Sequence, residues 1–133
     1  MQRGMIVVIL LALAACMPQP TQVTNKVNDL ALMVLPVNNQ TVEYYSGANG
    51  FYAAPATQGS YPGVIMIHEW WGLNDNIKQM AVTLASQGYH VFAVDLHGKV
   101  AATPDEARAL TSSLDQEKAL ANMKAAKTFL KGK

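Results

Sequence analysis

The sequence predicts an α/β protein, a layered sheet covered by helices, and three observations carry that prediction. Val64 to Ile67 is apolar on both strand faces. Ile77, Met80, Ala81, Leu84 and Ala85 then recur at i, i+3, i+4, i+7 and i+8, the spacing of one helix face. Tyr89 to Val94 returns as a second apolar strand. A run apolar on both faces marks a central strand in a sheet covered on both sides. Strand, helix and strand at this spacing make a βαβ unit, with parallel strands and a right-handed crossover. With the flanking segments the order is β-β-β-α-β-α-α, an α/β layered arrangement.

The first segment is set apart from that fold. "MQRGMIVVILLALAAC" has a basic start at Arg3, a short apolar run from Met5 to Leu13 and small residues before Cys16. The run is shorter than the ~20 residues of a membrane-spanning helix, and it reads as a signal peptide over residues 1–15. Leu13-Ala14-Ala15-Cys16 matches a bacterial lipobox, so Cys16 is expected to be lipidated and to become the new N-terminus; the alternative is an ordinary secretory signal with an incidental cysteine. Cleavage there removes Arg3 and leaves nine basic and nine acidic side chains, so no polybasic patch assists membrane binding. Cys16 is the only cysteine, which excludes a disulfide within the chain and leaves no thiol for catalysis. The expected location is the bacterial cell envelope, lipid-anchored; Met17 in place of aspartate fits outer-membrane sorting in a Gram-negative cell.

Residues 16–32 read as a tether, polar with Pro18 and Pro20 and without an apolar period. The folded part is expected over residues 33–133, a length that holds one domain. Thr41 to Tyr45 alternates and is β-rich, "SGANG" is a turn, and Phe51 to Ala54 returns as a hairpin partner. "PATQGSYPG" is a loop. The helix after Val64–Ile67 is capped by Asn74 or Asp75 and stopped by Gly88. Thr103-Pro104 opens a short helix over Asp105 to about Thr111. A longer helix runs from about Leu114, with Ala119, Met123, Ala126 and Leu130 on one face, to Gly132. A formal charge of +1 gives no footprint for nucleic acid.

Chemistry concentrates at the end of the first central strand, in "HEWWG". Ligands of open α/β sheets gather at the carboxyl ends of strands. There Glu69 stands beside Trp70 and Trp71, with Gly72 allowing a tight turn. A carboxylate flanked by indoles is expected to be poorly solvated, which favours its neutral form and suits proton transfer. The alternative is that Glu69 caps the turn and the tryptophans close the core. His68-Glu69 begins like a zinc-protease H-E-x-x-H, but Gly72 stands where the second histidine belongs. His90 and His97 show no ligand spacing, so no metal is expected, and each histidine reads as satisfied or solvent-facing.

"PGVIMIHEWWGLNDNIKQMAVTLASQGYHVFAVDLHGK", Pro62 to Lys99, resembles the dienelactone hydrolase family of α/β-hydrolases. The likeness rests on P-G and four apolar residues, H-E-W-W-G-L-N, the amphipathic helix, Q-G-Y and D-L-x-G. A weaker likeness extends back through "VEYYSGANGFYAAPA" and forward to the last helix. The resemblance implies a doubly wound, mostly parallel sheet with helices on both faces. It implies hydrolysis of a lactone or carboxylic ester by acyl transfer at a cysteine, without a cofactor. Glu69 would be the carboxylate that activates the thiol, and the Trp70 main-chain N–H an oxyanion donor. Trp71 would meet the substrate, and Arg108 lies in the segment where the family uses an arginine to hold an anionic substrate; the alternative is an exposed helix arginine. Asp95, in the D-L turn, has a structural part.

The likeness runs out at "TFLKGK", where the strand into the nucleophile elbow would follow. No G-x-C-x-G or G-x-S-x-G occurs in residues 1–133, and no histidine lies in the late region that supplies the triad base. The nucleophile and the triad aspartate and histidine are therefore expected outside this chain. Residues 1–133 alone are expected to be inactive. The resemblance fits the N-terminal portion of a longer hydrolase, with cysteine or, as in a serine esterase of the same fold, serine at the elbow. The alternative is a non-catalytic, lipid-anchored remnant or interaction module.

Overall fold

A computed structural model describes residues 34–133. The signal segment 1–15, Cys16 and the tether 16–32 lie outside the described residues. The elements are β1 (Val37–Tyr45), β2 (Ala48–Pro55), β3 (Gly63–Ile67), α1 (Asp75–Ser86), β4 (His90–Val94), α2 (Pro104–Ser112) and α3 (Gln116–Lys131). They form one four-stranded sheet in the order β1-β2-β4-β3. β1 pairs with β2, and β2 with β4, antiparallel, whereas β3 and β4 run parallel, with Val64 opposite Val91 and Ile67 opposite Val94. The βαβ unit is therefore present. Among the described residues no helix is long and apolar enough to cross a membrane.

Alternation along the strands divides the core into two layers. Phe51, Ala53, Val91 and Ala93 face α1, where Ile77, Ala81 and Ala85 cover them. Tyr52, Ala54, Phe92 and Val94 face the other way, against Ala126, Phe129 and Leu130 of α3. Both layers meet on β4, whose Val91, Phe92, Ala93 and Val94 are fully buried. The central position expected of Val64–Ile67 belongs here to β4. β3 is the edge of the described sheet, paired on one side only, so Val64, Ile65 and Met66 are half-buried and Ile67 is 55% exposed.

The helix ends follow their local chemistry. Asn74 caps α1, its side chain accepting from the Ile77 N–H at 3.0 Å, and Thr103 caps α2 by accepting from Glu106 N–H at 3.2 Å. Asp115 caps α3, accepting from the N–H groups of Glu117 and Lys118 at 3.0 and 3.1 Å. Gly88 follows α1 with φ +92, the expected left-handed stop. Two expected core positions differ. Met80 is 52% exposed because α1 rests on the sheet through Ile77, Ala81 and Ala85, a narrower stripe than the sequence pattern. On α3 the buried residue between Ala119 and Ala126 is Asn122, with Met123 half-buried beside it.

The hairpin turn is tighter than "SGANG" implies. It consists of Ser46 and Gly47 alone, and Ala48 to Gly50 already pair with β1. Gly50 is strand, paired with Val42, and is glycine because the Phe92 ring lies directly over it, where any side chain would collide.

Candidate functional site

Where β3 ends, the chain makes a tight turn closed by the Gly72 N–H donating to the Glu69 carbonyl at 3.1 Å. Trp70 and Trp71 form its corner, with their rings edge to face at 5.0 Å between centroids. Gly72 has φ +94 and its Cα faces the Lys99 carbonyl so closely that a Cβ could not be accommodated. The Ala101 N–H donates to the Trp71 carbonyl at 2.9 Å, and the Asn74 N–H to Gly72 at 2.8 Å. Leu73, buried with Ile77, pins the far side of the turn into the core. The turn is thus held by its own hydrogen bond, by the 99–101 segment and by α1.

A second loop leaves the carboxyl end of β4 beside it. Asp95 Oδ1 accepts from the N–H groups of His97 and Gly98, at 3.0 and 2.8 Å, which closes the D-L-H-G turn and gives Asp95 the structural part expected of it. Lys99 then pairs with Glu106 on α2, whose other oxygen accepts from Ala102 N–H at 2.9 Å. The hydrogen bond from Lys99 is the main reason the Glu106 carboxyl sits below its ordinary range.

His68 lies between the two loops and is buried. Its Nδ1 is 2.7 Å from the Glu69 carbonyl oxygen, and the Leu96 N–H donates to its Nε2 at 3.0 Å. A carbonyl can only accept and an amide N–H can only donate, so the ring is neutral with its proton on Nδ1. The Asp95 carboxylate lies 3.8 Å from Nε2, but an ion pair would need a proton where Leu96 already donates. The hydrogen bond decides the state, and His68 is a satisfied histidine. His97 packs on it, with ring centroids 4.7 Å apart. Burial lowers the affinity of His97 for a proton.

The residues singled out in the sequence are brought together in part. Glu69, Trp70 and Trp71 share the one turn. The Glu69 side chain is exposed, however, so the desolvation expected from two neighbouring indoles is not present in this arrangement. The rings meet each other edge to face rather than enclosing the carboxylate. Trp70 is 39% exposed and Trp71 half-buried. Among the described residues the Trp70 main-chain N–H meets no acceptor. Arg108 stands apart on α2, exposed, its Nη1 donating to Asp105 Oδ1 at 2.7 Å. Among the described residues no three histidine, cysteine, aspartate or glutamate side chains group to hold a metal ion.

One polar pair escaped the sequence reading. The Tyr44 hydroxyl donates to Asn122 Oδ1, and Asn122 Nδ2 donates to the Asp95 carbonyl at 3.1 Å, joining β1, α3 and the β4 loop. An asparagine at the i+3 position from Ala119 and i−4 from Ala126, inside an apolar stripe, was the available signal. A cavity of about 440 Å³ opens beside it, lined by Tyr45, His97, Leu114, Lys118 and Asn122. Its volume suits a small ligand, yet neither Glu69 nor either tryptophan lines it.

Comparison with known proteins identifies the fold and the lineage. Protein usf of Aquifex pyrophilus is 42% identical over 89 residues, which cover 62% of this chain and 38% of that protein. A putative carboxymethylenebutenolidase of Aquifex aeolicus (strain VF5) is 37% identical over 73 residues, covering 52% and 31%. The chain thus spans well under half the length of these curated relatives. The crystal structure of a putative dienelactone hydrolase from Klebsiella pneumoniae subsp. pneumoniae MGH 78578 superposes with a TM-score of 0.63 at 21% identity, covering 71% of this chain and 43% of that one, and shares the fold. The model of the dienelactone hydrolase family matches residues 48–132, from the second strand through the last helix, and the chain belongs to that family.

Proposed function

We propose that residues 33–133 form the oxyanion-binding and thiol-activating side of a hydrolase that cleaves a lactone or carboxylic ester. The observation that carries this reading is the Trp70 N–H, held on a rigid turn at the carboxyl end of β3 and without an acceptor among the described residues. A preorganised main-chain donor of this kind stabilises the charge that develops on a carbonyl oxygen under attack. A relative's name, carboxymethylenebutenolidase, denotes action on a butenolide, an unsaturated lactone, and supports that substrate class.

In this reading the nucleophile is a cysteine outside residues 1–133. Glu69 accepts the thiol proton, and the thiolate attacks the substrate carbonyl carbon. The carbonyl electron pair moves to oxygen, where the Trp70 N–H holds it. Collapse breaks the bond to the alcohol oxygen, which leaves with the proton that Glu69 had taken. Water then attacks the acyl carbon and gives a proton to the Glu69 carboxylate; the carbon–sulfur bond breaks, the acid is released, and that proton returns to the thiolate to restore the thiol. The exposure of Glu69 leaves its side chain free to reach a partner group. Trp71 supplies an apolar wall, and Arg108 is the cation offered to an anionic part of the substrate. Lipidation at Cys16 anchors the protein to the cell envelope.

The test is ester hydrolysis by the whole reading frame from the native membrane. Glu69→Gln and Trp70→Pro, the latter removing the N–H itself, are each expected to lower kcat by about 10²-fold or more. A folded Trp70→Pro protein with unchanged kcat would remove the basis of the reading. The exposed β3 edge favours a second reading, a lipid-anchored interaction module without catalysis. A native mass ending at Lys133, with no ester turnover, would select it.

A further inference from the structure

We propose that His68 is a positioning residue, which orients the Glu69–Trp70 peptide so that the Trp70 N–H faces out of the fold as a donor. This deepens the function proposed above and rests on it for its catalytic meaning, but the orientation itself can be measured independently.

The argument starts from the planarity of the peptide. Among the described residues every peptide bond is trans, so the C=O of Glu69 and the N–H of Trp70 point in opposite directions from one rigid unit. Whatever holds the carbonyl therefore aims the N–H. Two donors converge on that carbonyl, the His68 Nδ1–H at 2.7 Å and the Gly72 N–H at 3.1 Å. The Gly72 bond closes the turn but is made within it, so it moves with the turn. The imidazole is tied elsewhere, since its Nε2 accepts from the Leu96 N–H, in the loop after β4. The ring thus fastens the Glu69 carbonyl to the neighbouring strand end, and the imidazole that carries both bonds is itself buried.

The Leu96 bond has a second consequence. It occupies Nε2 as an acceptor and so keeps the ring proton on Nδ1, where the Glu69 carbonyl needs a donor. A hydrogen bond received by the carbonyl also polarises the peptide and makes its N–H a better donor to a developing oxyanion. His68 thereby acts on the reacting oxygen through the Trp70 peptide without touching it.

Two substitutions separate this role from a merely structural one. Asparagine can place an amide N–H near the Nδ1 position, keeping the donor to Glu69 and losing the acceptor for Leu96. Glutamine can place its carbonyl near Nε2, keeping the Leu96 bond and losing the donor to Glu69. Residues 1–133 hold two tryptophans, and α-15N-tryptophan labelling picks out the Trp70 and Trp71 main-chain amides. In partially aligned samples, His68→Gln is expected to change the residual dipolar coupling of the Trp70 amide, and His68→Asn to retain it. In the whole hydrolase His68→Gln is expected to lower kcat about 10- to 100-fold with little change in KM, and His68→Asn to recover most of the loss. An unchanged Trp70 coupling in His68→Gln, or the reverse order of the two variants, would overturn the proposal.

If either variant fails to fold, the native protein still decides. 15N-histidine spectra are expected to give a neutral His68 protonated at Nδ1 and coupled through a hydrogen bond to the Leu96 N–H; a ring protonated at Nε2 would overturn the proposal. Should the Trp70 amide respond to His68→Gln while Trp70→Pro leaves hydrolysis intact, the positioning stands and the oxyanion reading falls.

Discussion

Gly72 lies against the carbonyl oxygen of Lys99 with no room for a side chain between them. This approach locks the turn at the end of β3 to the segment following β4. Gly72→Ala introduces both a clash with main chain and a strained φ of +94. It is expected to destabilise the fold by about 2 kcal/mol or more. Urea unfolding checks the loss, and a lowered midpoint at unchanged m-value is the expected signature.

Asn122 is expected to be the most sensitive polar residue of α3. Asn122→Ala leaves the Tyr44 hydroxyl and the Asp95 carbonyl without their partner. The expected cost is about 1–3 kcal/mol, against a smaller cost for Tyr44→Phe, which removes the hydroxyl together with its need. A double-mutant cycle on these two residues measures the coupling; additive losses would mean that the bond contributes nothing.

Burial pushes the Tyr44 hydroxyl from its ordinary 10.0 up to about 12. Below pH 10 folded and unfolded chains both hold the proton, so this contribution to stability is complete. Between about pH 10 and 12 the unfolded chain loses the proton first, and stability falls as pH rises. Tyr52, also raised by burial, contributes in the same direction. Unfolding free energy measured from pH 9 upwards should fall, and Tyr44→Phe should flatten that fall. Phenolate absorbance at high pH provides the independent titration.

Arg108 and Asp105 form an ion pair with both side chains mostly in solvent. Arg108→Ala is therefore expected to change stability by less than about 0.5 kcal/mol. If Arg108 meets an anionic substrate, KM in the whole hydrolase rises for a carboxylate-bearing ester and stays constant for p-nitrophenyl acetate. Equal KM values for both esters would remove Arg108 from the site.

Lipidation is tested by phase partitioning. The protein expressed in a bacterial host with residues 1–15 intact should enter the detergent phase, and Cys16→Ala should move it to the aqueous phase. Retention of the variant in the detergent phase would rule out Cys16 as the anchor.

The sequence by itself determined the order of the elements, their ends and the family. Asn74, Thr103 and Gly88 act on main chain within a few residues, and apolar periodicity is equally local, so these features need no knowledge of distant partners. The same locality explains why H-E-W-W-G was legible as one turn. What only the tertiary structure decided is which of these groups is covered. Met80 shares the apolar period of Ile77 yet is exposed, whereas Asn122 is polar and buried. β4, rather than β3, is enclosed on every side, because it is paired with strands on both edges and packed by helices on both faces. The open environment of Glu69 and the fixed proton of His68 have the same origin. Each depends on what segments far apart in the chain bring alongside, and burial is a property of those neighbours rather than of the residue.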